Sequence, residues 1–313
     1  MLKKPVVLLA LVALLSLGAL AGAGATSADA KKPDGEAFVV LKTRDLHAAS
    51  RLRPSQTNLL ASRGGSVQTS TRIYISSWGT EWTGGFTSKG VTSAAARTYV
   101  EGFFGNVGGS NWINTDNQYC QGVPSGTTNC ASYSTAVYIT NAGGQFAGSW
   151  ADTTTVPANP TQSDIAAAAD RLRLQFGQGA DANATYMVFT PSGKSMSGFG
   201  TQWCAWHSSA STAAGRIAYA YIPFMPDAGA SCGAGFVNAG NYLDGFSIVA
   251  GHEYEEAKSD PFPNGGWLDR NGAENADKCA WNSLSNNISL GGNNYAVQPL
   301  WSNKKPGCVI GSP

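Results

Sequence analysis

Six cysteines behind an N-terminal export signal constrain the fold of this 313-residue chain more than any other feature. Two lysines, an apolar run over Val6–Leu20 and small residues up to Ala30 predict a secretory signal peptide of residues 1–30. The run is shorter than the roughly 20 residues that span a bilayer, and no other stretch is apolar enough. We therefore expect a secreted, extracellular protein without a membrane span, in which the cysteines are oxidised.

An even number of cysteines in an oxidising compartment predicts that all of them form disulfides. Spacing alone leaves the connectivity open, and we expect pairs that are sequential along the chain. The expected pairs are Cys120–Cys130, Cys204–Cys232 and Cys279–Cys308. The chain has no Cys-x-x-Cys, which argues against a thiolate zinc site or a thioredoxin-like redox motif.

The composition is that of a folded and nearly neutral protein. Charged residues make up 13% of the chain and hydrophobic residues 42%, so apolar area suffices for a core and disorder is disfavoured. The net charge of +1 argues against nucleic acid as a partner, because binding to phosphates needs a basic patch. We expect a monomer whose partner is an extracellular protein, a peptide or a cell-wall polymer.

Residues 31–66 differ from the rest of the chain. They carry seven Lys and Arg against three Asp and Glu, which is a net charge of +4, and they have no cysteine. We interpret them as a basic lead-in or possible pro-segment, or as an N-terminal arm with one strand at Ala37–Leu41. From residue 67 to 313 the pattern predicts one α/β domain.

Strand and helix patterns alternate along residues 67–313, which predicts a mixed sheet with covering helices. The helix before Pro261 carries the candidate site, and the cysteines would pin its neighbouring loops. The predicted strands are Arg72–Ser76, Thr135–Thr140, Thr185–Thr190 and Ile217–Ile222; the predicted helices are Ser93–Val107, Ile165–Phe176 with its start at Pro160–Asp164, and Tyr242–Lys258; a hairpin is expected near Gly291–Trp301.

The candidate chemistry concentrates in the last of these helices. His252 and Glu256 are four residues apart, so both project from one face, and Glu253 follows the histidine. Zincins use this spacing for two metal ligands and a glutamate beside the metal-bound water. Here the second ligand would be a carboxylate, which Zn²⁺ accepts and which also suits Ca²⁺ or Mn²⁺. The alternative is a helix with an exposed acidic face.

A third metal ligand is expected from a later segment. Glu274 and Asp277 lie 18 and 21 residues past Glu256, and Cys279 would pin them near the helix. The alternative for both is ordinary loop charge on the surface. Asp260 is two helical turns from His252, too far to share an ion, and we expect it to brace the loop after the helix.

His207 lies in the Trp203–His207 segment beside a cysteine. It is a candidate metal ligand or a donor to an oxyanion, and otherwise a half-buried structural histidine.

A serine hydrolase is disfavoured because Gly-x-Ser-x-Gly is absent, and nucleotide-binding fingerprints are absent too. A glycosidase stays open, because it needs two facing carboxylates and the chain has five candidates. These are Glu253, Glu256, Asp269, Glu274 and Asp277.

The order of these motifs resembles the EXORDIUM (phosphate-induced) proteins of plants and their secreted bacterial zincin-like relatives. The resemblance rests on Trp78-Gly79, Cys204-Ala205-Trp206-His207, His252-Glu253…Glu256…Asp260-Pro261, Gly266-Trp267 and Glu274…Asp277-Lys278-Cys279. It runs from about Ile73 to Cys308. It implies a zincin-like α/β domain, with metal ligands at His252 and Glu256, an acidic third ligand at Glu274 or Asp277, and a general base at Glu253.

Two functions follow as expectations. The first is a secreted metallohydrolase, a zinc-dependent endopeptidase in which Glu253 moves the proton and His207 stabilises the oxyanion. The alternative is a non-catalytic extracellular protein that binds cell-wall polymer or polysaccharide. Its sequence basis is a set of tryptophans that could stack on sugars if exposed; the alternative is that at least half of them pack in the core. They are Trp78, Trp82, Trp112 and Trp150.

Overall fold

A computed structural model of the chain describes residues 38–45 and 58–312. The predicted signal peptide and most of the basic lead-in lie outside the described residues. Within the described part, no helix has the length and apolar character needed to cross a membrane.

The protein has an α/β fold, as the sequence predicts. Its described strands, in chain order, are β1 (Phe38–Lys42), β2 (Ala61–Ser62), β3 (Arg72–Trp78), β4 (Thr87–Ser88), β5 (Val91–Thr92), β6 (Cys120–Gln121), β7 (Val137–Tyr138), β8 (Phe146–Asp152), β9 (Ala184–Phe189), β10 (Trp203–Thr212), β11 (Gly215–Ile222), β12 (Trp267–Leu268), β13 (Asn286–Leu290), β14 (Asn293–Val297), β15 (Leu300–Ser302) and β16 (Gly307–Val309). The α-helices are α1 (Glu81–Gly84), α2 (Ser93–Val107), α3 (Gln162–Gln175) and α4 (Asp244–Ser259); 3-10 turns cover Trp112–Gln118, Cys130–Ser132, Met225–Cys232 and Asp277–Cys279.

The central sheet is mixed and has six strands in the order β1-β10-β11-β9-β3-β8. β11, β9, β3 and β8 run parallel, β10 pairs antiparallel with β11, and β1 pairs antiparallel with β10 at the edge. β1 belongs to the basic lead-in, so the strand expected at Ala37–Leu41 is present, shifted by one residue. The mixed sheet is confirmed.

Side chains alternate between the two faces of this sheet and form two separate cores. On β9, Tyr186 and Val188 pack with α3, whereas Met187 and Phe189 pack with α2 and α4. On β10, Trp206 joins the α3 side. The result is a three-layer arrangement in which α3 covers one face and α2 and α4 cover the other.

Two helices begin at capping residues that the local sequence supplies. Thr92 accepts a hydrogen bond from the Ala95 amide before α2, which spans the predicted Ser93–Val107. Thr161 and Asp164 form a reciprocal capping box at the start of α3, within the helix start predicted at Pro160–Asp164.

The three predicted disulfides are all present and confirmed as sequential pairs. Cys204–Cys232 ties β10 to the turn before α4, and Cys279–Cys308 ties the segment after α4 to β16. Both loops next to α4 are therefore cross-linked.

Two local predictions are wrong in extent. The strand expected at Thr135–Thr140 is only the two-residue β7, which pairs with β6 outside the main sheet because its apolar side chains lie at the surface. The hairpin expected near Gly291–Trp301 is β13 and β14, with Gly291 and Gly292 at positive φ in its turn. β8 and β10 were not predicted.

Core packing, the alternative to sugar stacking, holds for three of the four candidate tryptophans. Trp78, Trp82 and Trp112 are buried, because they pack in the two cores on either side of the sheet. Trp112 donates its indole N–H to the Gln298 carbonyl at 2.8 Å. Trp150 on β8 remains half-buried.

A buried cluster of histidines and carboxylates

α4 is unusual because every one of its residues is buried. The sheet covers one side, and the segment around β14 and the turn at Trp112–Gln118 cover the other. Asp244 accepts hydrogen bonds from the backbone and side chain of Asn238 at the start of the helix. Any charged side chain on α4 must therefore find its partners inside the protein.

His252 and Glu256 project together from α4, as the i, i+4 spacing predicts. Their Nε2 and Oε1 atoms are 2.8 Å apart, and both side chains are fully buried. The expected alternative, an exposed acidic helix face, is therefore excluded.

Asp277 reaches the same point from the disulfide-linked segment after the helix. Its Oδ1 lies 3.7 Å from His252 Nε2, and its backbone N–H donates to Glu256 Oε1 at 2.9 Å. Its side chain is 23% exposed. His252, Glu256 and Asp277 thus present one ligand atom each around a common point.

Glu274 returns to the cluster too, but it faces a different histidine. Its Oε1 lies 3.6 Å from His207 Nε2, and both side chains are fully buried. His207 faces α4 because its neighbour Trp206 faces α3, and its Nδ1 lies 3.3 Å from Glu253 Oε2 and 3.5 Å from Glu256 Oε2. The expectation of a half-buried structural histidine is wrong, because the sheet and α4 enclose the ring.

These six side chains form what we call the histidine cluster. Its members are His207, His252, Glu253, Glu256, Glu274 and Asp277. Among the described residues, no lysine or arginine makes an ion pair with it. Four carboxyl groups therefore meet only two imidazoles in a buried space.

Several atoms of the histidine cluster have no hydrogen-bond partner among the described residues. They are His207 Nε2, His252 Nε2, Glu253 Oε1, Glu256 Oε2 and both oxygens of Glu274. The 2.8 Å approach of His252 Nε2 to Glu256 Oε1 lacks hydrogen-bond geometry. Unpaired buried polar atoms cost free energy, and a cation between them would satisfy these atoms together.

A side-chain amide sets the proton position on His252. Gln298 Nε2 donates to the Ala276 carbonyl at 2.9 Å, so Gln298 Oε1 is left as an acceptor 3.1 Å from His252 Nδ1. Nδ1 then carries a proton, and in the neutral ring the lone pair of Nε2 points at Glu256 and Asp277. Metal-binding histidines are held in this way by a second hydrogen-bond partner.

The pKa values of the cluster show how strongly its groups interact. Burial alone would lower the pKa of His252, but the charge of Glu256 overcomes it and raises that pKa to about 9. Burial raises the pKa of Asp277 to about 7, with the charge of Glu256 adding to the effect. Against its own burial, the pKa of Glu256 falls to about 2 because of the two imidazoles. When no cation is bound, the cluster binds protons instead.

Asp260 braces the loop after α4, as expected. It accepts hydrogen bonds from the backbone N–H groups of Asn264, Gly265 and Gly266 at 2.7, 3.1 and 2.7 Å. Gly266 passes so close to the end of α4 that a Cβ there would meet the Ser259 carbonyl oxygen. Asp269, a candidate for a carboxylate pair, instead binds Lys278 at 3.0 Å.

A second charged group on α4 was not predicted, and we call it the lysine cluster. It consists of Asp116, Glu255 and Lys258, all fully buried. Lys258 Nζ lies 3.0 Å from Glu255 Oε2 and 3.5 Å from Asp116 Oδ2. Asn275 donates to the other oxygen of Asp116 at 2.8 Å.

Gln298 was missed by sequence reasoning as well. It belongs to no motif, and its one signal is that it is the only amide side chain in the otherwise apolar run from Tyr295 to Trp301.

In comparisons with known proteins, no family model, curated protein or solved structure matches the chain. The resemblance to the EXORDIUM proteins and the zincin-like fold therefore stay predictions, and the site is defined by its own geometry.

Proposed function

We propose that His252, Glu256 and Asp277 hold a divalent cation, with Zn²⁺ as the first candidate and Mn²⁺ or Ca²⁺ as the others. The supporting observation is that one nitrogen and two carboxylate oxygens converge. His252 Nε2 lies 2.8 Å from Glu256 Oε1 and 3.7 Å from Asp277 Oδ1. Ligands of a tetrahedral zinc ion lie about 3.3 Å apart, midway between these distances. The unpaired Nε2 and the Gln298 contact behind it fit a ligand histidine.

We propose further that the protein is an extracellular hydrolase that cleaves peptide bonds. A cation in this position would supply Lewis acidity to the scissile carbonyl and acidify a nearby water. Glu253 is the proton carrier, because its Oε1 is buried and unpaired beside the ligands. Burial raises its pKa, against the hydrogen bond from His207, which suits a group that accepts and returns a proton.

His207 and Asp277 have supporting roles in this proposal. His207 Nδ1 holds Glu253 Oε2 at 3.3 Å, which positions the free oxygen of that carboxylate. Asp277 is the one member of the cluster with appreciable exposure, so substrate reaches the cluster from its side. The disulfides and the predicted signal peptide support a location outside the cell.

The test combines metal content with activity on unstructured protein substrates. We expect the purified mature protein to contain at least one divalent ion per chain and to lose activity with a chelator. Glu253→Gln should retain the ion but lose about 10²–10⁴-fold in rate. Glu255→Gln, a matched change at the next glutamate along α4, should keep both ion and activity. Retained peptidase activity in Glu253→Gln would remove the mechanism.

A second candidate function follows from the closure of the site. Five of the six cluster residues are fully buried, which is typical of a structural cation rather than a catalytic one. The protein would then be a non-catalytic extracellular module that binds protein or cell-wall polymer. Bound metal without hydrolysis, together with retention on insoluble polysaccharide that Glu253→Gln does not change, would favour this candidate.

A further inference from the structure

The carboxylate of Glu256 has two sides, and only one belongs to the cation site proposed above. Oε1 faces His252 and accepts the Asp277 N–H. Oε2 points to His207, whose Nδ1 is 3.5 Å away, and has no hydrogen-bond partner among the described residues. A carboxylate with its second oxygen unpaired in a buried space is suited to bridging two cations.

The second side carries its own set of unpaired ligand atoms. His207 Nε2 and both oxygens of Glu274 lack hydrogen-bond partners in the described part of the chain, and all are fully buried. His207, Glu256 and Glu274 offer ligand atoms that all lie within 4.8 Å of one another. This set shares only Glu256 with the first site.

The two histidines are held in the same way. His252 Nδ1 faces Gln298 Oε1 at 3.1 Å, and His207 Nδ1 faces Glu253 Oε2 at 3.3 Å. Each contact fixes the ring through Nδ1 and leaves Nε2 for a ligand role. In both cases Nε2 then meets a carboxylate from the segment after α4, at 3.7 Å for Asp277 and 3.6 Å for Glu274.

A proton on His207 Nε2 does not explain this arrangement. The separation of 3.6 Å from Glu274 Oε1 is too long for a hydrogen bond, and the other Glu274 oxygen would stay unpaired. A cation between the two groups satisfies all three atoms, because metal–ligand distances of about 2 Å on each side span such a gap.

We propose that His207, Glu256 and Glu274 hold a second divalent cation, so that Glu256 bridges a pair of ions. This inference rests on the proposed cation at His252, Glu256 and Asp277 and extends it. One imidazole and two carboxylates suit Zn²⁺ or Mn²⁺. Carboxylate-bridged ion pairs of this kind, about 3.5–4 Å apart, are used in hydrolysis to stabilise the attacking and the leaving group together.

The test counts ions in the full mature protein after equilibration with Zn²⁺ and removal of free metal. We expect two zinc ions per chain in the wild type, one in Glu274→Gln and two in Glu255→Gln. One ion in the wild type, or two in folded Glu274→Gln, would overturn the second site and leave the proposed function standing. No ion in the wild type would overturn both.

A second measurement needs no variant, in case Glu274→Gln does not fold. The wild-type protein is loaded with Mn²⁺ and its EPR spectrum is recorded at full occupancy. Two bridged ions are expected to couple magnetically and lose the spectrum of isolated Mn²⁺. An isolated-ion spectrum at full occupancy contradicts the bridge.

Discussion

α4 carries two buried charged clusters that differ in one respect. In the lysine cluster, Lys258 supplies a cation to Glu255 and Asp116 at 3.0 and 3.5 Å. In the histidine cluster, no described lysine or arginine does so, although it holds twice as many carboxyl groups. The lysine cluster is fully buried, and in the histidine cluster only Asp277 has appreciable exposure.

The difference shows in the atoms that remain unpaired. The lysine cluster leaves one, Asp116 Oδ2, whereas the histidine cluster leaves six. Buried charge is tolerated when it is paired and becomes expensive when it is not. One cluster is therefore neutralised by a lysine of the chain itself, and for the other we propose a cation from outside.

The largest expected effect comes from removing the internal cation. Lys258→Met keeps most of the volume but leaves Glu255 and Asp116 without a counter-charge, so we expect the free energy of unfolding to fall by about 3–5 kcal/mol. Denaturant unfolding with and without added Zn²⁺ measures it. The loss should be the same in both conditions, and rescue by Zn²⁺ would mean that the clusters are not independent.

Removal of the proposed metal ion from the histidine cluster should lower the free energy of unfolding by a smaller amount, which depends on the concentration of free metal. With free metal at about 100 times its Kd, binding stabilises the fold by about 2.7 kcal/mol, and a chelator removes this amount. Thermal unfolding with and without chelator measures the difference in Tm.

The matched pair for this experiment is Glu256→Gln and Glu255→Gln, adjacent residues of the same buried helix. Glu256→Gln should abolish the response to chelator, because it removes a ligand. Glu255→Gln should keep it. A wild-type Tm that does not respond to chelator would break the comparison between the clusters.

The smallest effect is expected from Gln298, which contacts the proposed ligand His252 on the side away from the cation. Gln298→Met removes the acceptor for His252 Nδ1 while keeping the side-chain size, so the imidazole loses its fixed orientation. We expect metal affinity to fall by about 10–100-fold. Calorimetric titration with Zn²⁺ gives the affinity, and an unchanged Kd would show that Gln298 has no part in holding the ligand.

Much of the fold follows from local pattern. α2 appears with its predicted ends, and β9, β11 and α4 differ by one or two residues, because their apolar spacing and flanking turns are strong. β10 escaped prediction because its sequence mixes Trp, His and Ser, although burial in the sheet decides its structure. The sequence overestimates the length of β7, because β-branched residues favour strands even where the two-residue partner β6 does not reach them.

The sequence predicts the site residues well where one turn of α4 sets their geometry. It predicts them less well where they come from a segment distant in the chain. The spacing of His252 and Glu256 determines their contact. The choice between Glu274 and Asp277 stayed open because it depends on the turn at Asp277–Cys279, and the structure brings both residues in, to different histidines. The lysine cluster carries no motif, since Asp116 comes from a distant segment.

Anomalous diffraction from crystals of the zinc-loaded mature protein, recorded on both sides of the zinc absorption edge, tests most directly whether the histidine cluster is built for a cation. We expect a strong zinc peak within bonding distance of His252 Nε2, Glu256 Oε1 and Asp277 Oδ1. A map with no peak there, and His252 donating a well-formed hydrogen bond straight to Glu256, would contradict it.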